Sequence, residues 1–334
     1  MHLNKTKLIP GNDATQGVSN LEDPLFSLVI PAHNEEDNII NFLTTLKSTL
    51  DQLLIRYEIV VVDDGSSDNT PELLLQMGKI MPMKCVLLSR NFGKEQALTA
   101  GLQHAAGDAA ILIDSDFQHP LETIEEFIKH WRLGYQMIYG VRVNKNDDKY
   151  IRHTLSQIFY KLLNRSSNIP IEPNAGDFRL LDRRVIDALN SLPESSRFMK
   201  GLYAWVGFKS IGIPFEVTKR QAGKSSYNYR KLSNLALIGL TSFSNLPLRI
   251  SMHVGILTSF LAITYGFWIL MRTIIFGIDL PGWSTVVVGM LLLGGIQLIS
   301  IGIMGEYISH IFTEVKRRPL YITSEVHDFT LPKE

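Results

Sequence analysis

The 334-residue chain has almost no cysteine, and its net charge is zero. A lone Cys85 excludes an internal disulfide and fits a reducing compartment. Inside the run Lys84-Cys-Val-Leu-Leu88 it reads as a small buried apolar residue rather than a nucleophile. Basic and acidic residues number 33 each, so no global field points to nucleic acid, and no nucleic-acid partner is expected. The first 24 residues lack a long apolar run, which argues against a secretory signal and reads as a flexible polar tail. Charge is missing altogether from Ile250 to Met271 and from Leu280 to Gly305. Each of these stretches is long enough to cross a bilayer core, which takes roughly 20 apolar residues.

Between the tail and the uncharged stretches, strand and helix signals alternate. Phe26–Ile30, Tyr57–Val62, Cys85–Leu88, Ala109–Ile113 and Met137–Val141 read as strands. Asn38–Leu54, Thr70–Met77, Lys94–Ala106 and Leu121–Leu133 read as helices, with Ile39, Phe42, Leu43, Leu46 and Leu50 on one side of the first. Repeated strand–helix–strand units predict an α/β fold: a doubly wound, mostly parallel sheet with helices on both faces. Such sheets bind ligands at the carboxyl ends of their strands.

Polar clusters stand at those ends. They are Pro31-Ala-His-Asn-Glu35, Asp63-Asp64-Gly-Ser-Ser-Asp68, Ser89-Arg90-Asn-Phe-Gly-Lys94 and Asp114-Ser-Asp116-Phe-Gln118. Carboxylates there suit ribose hydroxyls and the imide N–H of a pyrimidine, and Arg90 and Lys94 suit a diphosphate. An Asp-x-Asp after a strand suits a divalent cation with oxygen ligands, and ligand type does not separate Mg²⁺ from Mn²⁺. Asp-x-Asp and Asp-Asp-Gly-Ser are ordinary turns when met singly. Four such clusters after four successive strands form a pattern.

Pro-x-x-Asn-Glu, Val-Asp-Asp-Gly-Ser and Asp-x-Asp-x-Gln resemble the family-2 inverting glycosyltransferases of GT-A fold. Leu-Ser-Arg-Asn-Phe-Gly-Lys-Glu (88–95), Gly-Asp-Phe-Arg-Leu (176–180), Arg-Phe-Met-Lys-Gly (197–201) and the paired C-terminal apolar stretches resemble, more closely, the bactoprenol glucosyltransferases, which belong with the dolichyl-phosphate mannose synthases. The resemblance implies that Pro31, Glu35 and Asp64 hold the nucleoside, and that Asp114, Asp116 and Gln118 form the metal and diphosphate site. Asp116 and Gln118 would be the direct ligands of Mg²⁺ or Mn²⁺. It implies Asp177 as the acid/base residue and Arg142, Arg152 and Ser156 as the grip on a lipid phosphate, a task suited to bidentate Arg. Two positions depart from the family pattern. His33 stands where Tyr is common, and the loop Arg220-Gln-Ala-Gly-Lys-Ser-Ser-Tyr227 carries Ser226 where Lys is expected, leaving Lys224 as the candidate phosphate contact. Gly223-Lys224-Ser225 is not a P-loop, because Thr218 occupies the required glycine position.

The expected reaction is inverting transfer of a sugar, glucose from UDP-glucose first, onto polyprenyl (undecaprenyl) phosphate. GDP-mannose, a UDP-amino sugar or a modified arabinose are alternative donors, and a non-catalytic membrane scaffold is the alternative of another class. A processive polysaccharide synthase would need a Gln-x-x-Arg-Trp motif, which none of the four tryptophans completes. The expected organisation is a tail (1–24), a cytoplasmic GT-A domain (25–230), an interfacial helix (231–248), two membrane helices (about 250–271 and 284–305) and a cytoplasmic C-terminal tail (307–334). Arg249 before the first span, and Lys316, Arg317 and Arg318 after the second, place both ends at the cytoplasmic side of an inner membrane, although Arg272 sits at the far end of the first span. Gly255, Ser259, Ala262 and Gly266, and Gly295, Gly302 and Ser309, form small-residue faces that permit close helix packing or a homo-oligomer.

Overall fold

The computed structural model describes residues 23–143, 175–195, 197–216, 246–276 and 282–330. The chain divides into two compact units. The first holds the N-terminal two thirds and the last residues from Pro319, and the second holds mainly Tyr227–Arg318.

The first unit is one eight-stranded sheet. In chain order its strands are β1 (Leu25–Ala32), β2 (Arg56–Asp63), β3 (Met83–Leu88), β4 (Ala109–Leu112), β5 (Met137–Arg142), β6 (Ala175–Asp182), β7 (Ser210–Phe215) and β8 (Thr323–Asp328). Across the sheet they lie in the order β7-β5-β6-β4-β1-β2-β3-β8. β1 pairs in parallel with β2 and β4, and β2 with β3. β6 runs antiparallel between β4 and β5, and β8 runs antiparallel along β3.

The helices are α1 (Ile39–Gln52), α2 (Thr70–Gly78), α3 (Lys94–His104), α4 (Thr123–Arg132), α5 (Arg183–Ser191) and α6 (Met199–Trp205). Alternate strand residues divide between two faces, as the pleat requires. Leu28, Ile30, Ile59, Val61 and Ile111 share one core with the buried faces of α1, α2 and α4. Val29 and Val62 point the other way, to α3. A Cβ at Gly101 of α3 would stand 2.2 Å from Val29 Cγ1, so glycine there lets the helix lie close on β1. That seating fixes the start of α3, and with it Lys94 and Glu95, at the carboxyl edge of the sheet.

The elements expected before α5 are present with ends shifted by a few residues, and β1 runs through Pro31 rather than stopping at it. The expected C-terminal tail is corrected: Thr323–Asp328 is an edge strand. Ser89 N–H donates to Ile322 O at 2.9 Å, and Phe329 packs against Gly78. Backbone pairing to an edge asks little of side chains, so the polar run Thr-Ser-Glu-Val-His-Asp carried no strand signal.

The second unit contains α7 (Leu246–Phe276) and α8 (Trp283–Val315). Ile250–Phe276 and Leu292–Val315 are long and apolar enough to cross a membrane, and none of either stretch is buried. α8 continues past the expected end at Gly305 because one charged residue does not stop a helix. Glu306 and His310, 3.7 Å apart, pair along its face. A Cβ built at Gly255, Gly266, Gly295 or Gly302 meets nothing within 4 Å. Among the described residues, no neighbouring helix therefore packs against these four glycines. The expected interfacial helix (231–248) lies almost wholly outside the described residues.

Candidate active site

The carboxyl edge of the sheet collects the polar clusters. After β2 the chain turns sharply through Asp63 and Asp64. Asp63 accepts from the Ser66 backbone N–H (3.1 Å) and hydroxyl (2.5 Å), which folds its own turn. Asp64 Oδ1 accepts from Phe92 N–H at 2.7 Å and Oδ2 from Gly93 N–H at 2.9 Å. Burial raises the pKa of Asp64, and these two bonds oppose it. Gly65 has φ +60°, and a Cβ there would lie 2.2 Å from the Arg90 carbonyl carbon. The Asp-Asp-Gly-Ser turn therefore shapes the Arg90–Lys94 loop from beneath, a task additional to the nucleoside contact expected of Asp64. Glu35 N–H donates to Thr70 Oγ1, and the Glu35 carboxylate accepts from Asn38 Nδ2 at 3.3 Å. Pro31 pairs in register with Val62 at the end of β1.

The centre is an ion triplet. Lys94 Nζ lies 2.7 Å from Asp114 Oδ1 and 3.1 Å from Asp177 Oδ2. Burial disfavours the ammonium, but the charges of Asp114 and then Asp177 outweigh it and raise the Lys94 pKa. Burial works against the Asp177 carboxylate as well. The charges of Lys94 and Lys200, with the Lys94 hydrogen bond and Arg179, hold it down at about 2. Asp177 is therefore an anion at neutral pH, placed to orient a cationic or hydrogen-bonding partner. Lys94, expected on the diphosphate, links the Asp114 and Asp177 carboxylates.

β6 places Asp177 there because it runs back between β4 and β5, with Arg179 buried as its anchor. Arg179 Nε donates to Gly176 O at 3.0 Å, and its guanidinium lies 4.2 Å above the Tyr203 ring. Asp182 ends the strand and caps α5 by accepting from Arg184 N–H. It also accepts from Trp131 Nε1 at 2.9 Å, so this tryptophan is a core residue.

Gln118 N–H donates to Asp116 Oδ1 at 3.1 Å, which closes a tight turn over Asp116–Gln118. No cluster of three or more His, Cys, Asp or Glu side chains able to hold a metal is present among the described residues. A carboxylate and an amide oxygen fit Mg²⁺ or Mn²⁺ nonetheless, because such ions take one or two protein oxygens together with substrate phosphates and water.

Arg142 is exposed at the end of β5, and its charge reaches His119. His119 stacks on Phe178 at 4.7 Å, and burial lowers its pKa. Arg152, Ser156 and Lys224 lie outside the described residues. Arg90 is exposed, 4.2 Å above the Phe92 ring. Glu95, His119 and Lys200 stand at the site without an expected role. Lys200 lay inside the quoted Arg-Phe-Met-Lys-Gly run, and Glu95 was the last residue of the Leu-Ser-Arg-Asn-Phe-Gly-Lys-Glu run.

Residues 27–189 match the family described as Glycosyl transferase family 2, and residues 246–311 match the GtrB C-terminal hairpin. An uncharacterized glycosyltransferase of Synechocystis is 44% identical over 90% of this chain and 95% of its own length. A prophage-derived bactoprenol glucosyl transferase of Shigella flexneri is 42% identical over 90% of this chain and 98% of its own. Among solved structures, glucosyl-3-phosphoglycerate synthase from Mycobacterium tuberculosis with Mn²⁺ and UDP-glucose is 18% identical, with TM-score 0.45 over 65% of this chain and 79% of that one. With its GT-A sheet, its triplet of Lys94, Asp114 and Asp177, and its C-terminal apolar hairpin, the chain belongs to the family-2 glycosyltransferases, within the group that contains the bactoprenol glucosyl transferases.

Proposed function

We propose that this glycosyltransferase moves glucose from UDP-glucose onto a membrane polyprenyl phosphate, undecaprenyl phosphate in the first instance, with inversion at the anomeric carbon. The observation that carries the reading is the ionised Asp177 held 3.1 Å from Lys94, which in turn holds Asp114 after β4. The similarity to the bactoprenol glucosyl transferase of Shigella flexneri supports the acceptor class and the glucosyl group.

Pro31, Glu35 and the Asp63–Asp64 turn receive the nucleoside. The loop from Arg90 to Lys94 lies beside the diphosphate. Asp116 and Gln118 would hold Mg²⁺ or Mn²⁺, whose chemistry is to neutralise charge on the departing nucleotide. A phosphate monoester has its second pKa near roughly 6, so the acceptor is already largely a dianion at neutral pH. Strong base catalysis is then unnecessary, and positioning and charge neutralisation supply most of the rate. Asp177, ionised at neutral pH and unable to donate, orients the acceptor. Arg142, Arg152 and Lys224 neutralise the acceptor phosphate, and Ser156 donates a hydrogen bond to it. The hairpin of α7 and α8 anchors the enzyme in the inner membrane with its catalytic unit in the cytoplasm, where an acceptor confined to the bilayer meets it at high effective concentration.

The test is detergent-purified full-length protein with undecaprenyl phosphate, Mg²⁺ or Mn²⁺, and UDP-glucose, with GDP-mannose and UDP-N-acetylglucosamine in parallel. The readout is the mass of the lipid product. A hexosyl lipid from UDP-glucose that is lost in Asp116→Ala and Asp177→Asn is expected. Product from another donor alone would replace the sugar. No lipid product from any donor would leave the scaffold reading.

A further inference from the structure

Beside the ion triplet lies a set of polar groups to which the transfer reaction gives no task. Glu95 is the second residue of α3, and its carboxylate accepts a backbone hydrogen bond from Met199 at the start of α6. Its Oε2 is buried without a hydrogen-bond partner among the described residues. Asp177 Oδ1 and the Tyr203 hydroxyl are in the same condition. These groups feel one another's charge. Glu95 is faced by Lys94 from its own helix, by Asp177 and Arg179 from β6, and by Lys200 and Tyr203 from α6. Arg197 faces it from the loop before α6.

Buried polar atoms are rarely left unpaired, and two buried carboxylates that feel each other's charge, each with one oxygen lacking a donor, are both relieved by a single shared proton. A carboxylic acid has the O–H that a carboxylate lacks. Asp177 is the member that stays ionised, because Lys94 lies against its other oxygen at 3.1 Å. Among the described residues Glu95 has no such contact with a lysine. Burial, and then the charge of Asp177, pushes its pKa up to about 8.

We propose that Glu95 stands as a neutral carboxylic acid and donates its proton in a hydrogen bond to Asp177, fixing that carboxylate so that one oxygen faces Lys94 and the acceptor. Glu95 is a positioning residue acting through Asp177, and its effect on turnover rests on the transfer reaction proposed above. Above the pH at which Glu95 ionises, the donor is lost and a second negative charge stands beside Asp177. Tyr203 is the rival donor to the same oxygen.

The experiment compares wild type, Glu95→Gln, Glu95→Leu and Tyr203→Phe as full-length proteins in detergent. Turnover and thermal midpoint are followed from about pH 5 to pH 9. Gln keeps a neutral donor, so its turnover near pH 7 stays within about threefold of wild type, whereas Leu loses about tenfold to a hundredfold. Wild-type turnover falls as pH rises through about 8, and the Gln variant keeps its rate there. The thermal midpoint gives a readout independent of turnover. A glutamate whose folded-state pKa is raised gives stability that is complete below its ordinary range and is lost as pH rises to the folded value. The wild-type midpoint therefore falls relative to Glu95→Gln up to about pH 8 and then runs level with it. Parallel midpoints for the two proteins across that range would overturn the proposal even in a preparation with no transferase activity. So would a Gln variant as impaired as Leu, or a loss seen only in Tyr203→Phe.

Discussion

Replacing Asp64 by Ala separates loop support from ligand contact. The Asp64 carboxylate accepts two backbone bonds, from Phe92 at 2.7 Å and from Gly93 at 2.9 Å. Hydrogen bonds to a charged group contribute about 1.5–3 kcal/mol each, so the pair is worth about 3–6 kcal/mol before desolvation. Asp64 is only 4% exposed, and burial raises its pKa, so desolvation of the carboxylate offsets part of that gain. A net cost of about 2–4 kcal/mol remains. For a unit of this size it lowers the thermal midpoint by about 5–15 °C. The measurement is the midpoint of the full-length protein in detergent without nucleotide, followed by donor KM. Asp64→Asn keeps one acceptor oxygen and falls between wild type and Ala. An Ala variant with the wild-type midpoint and a raised donor KM would refute the reasoning, because Asp64 would then be a ligand contact alone and the Arg90–Lys94 loop would support itself.

Two further outcomes follow from the same geometry. Burial pushes the Cys85 thiol up to about 12, so a thiol reagent leaves the folded protein unlabelled and modifies Cys85 only after denaturation; fast labelling of the native protein would contradict its placement in β3. Ending the chain at Pro319 removes β8, its pairing to β3 and the Lys84–Asp328 contact at 3.7 Å. Lost hydrogen bonds at about 1 kcal/mol each, together with a bared β3 edge, predict a lower thermal midpoint and self-association, read by melting and size-exclusion chromatography. An unchanged midpoint would make β8 an ornament of the sheet.

Local chemistry was legible wherever it repeats along the chain. The periods of Ile39, Phe42, Leu43, Leu46 and Leu50 announced α1, and they are its buried residues. The apolar runs Ile59–Val62 and Ala109–Leu112 announced β2 and β4. The clusters after them fall at one edge because parallel strands all end there. The apolar stretches after Arg249 were equally plain. The motifs also pointed to Asp177, though only as a family pattern.

Only the tertiary structure decided how that residue is used. β6 returns antiparallel between β4 and β5, an insertion that no local period encodes, and this brings Asp177 to Lys94 from far along the chain. It also turns Lys94 toward two carboxylates, gives Asp64 a second task beneath the Arg90 loop, and places Glu95 beside Asp177. By itself the sequence determined which segments form strands, helices and apolar spans, because those depend on side-chain period and composition. Strand order, the edge pairing of β8 and the protonation of the buried carboxylates depend on long-range neighbours, and only folding supplied them.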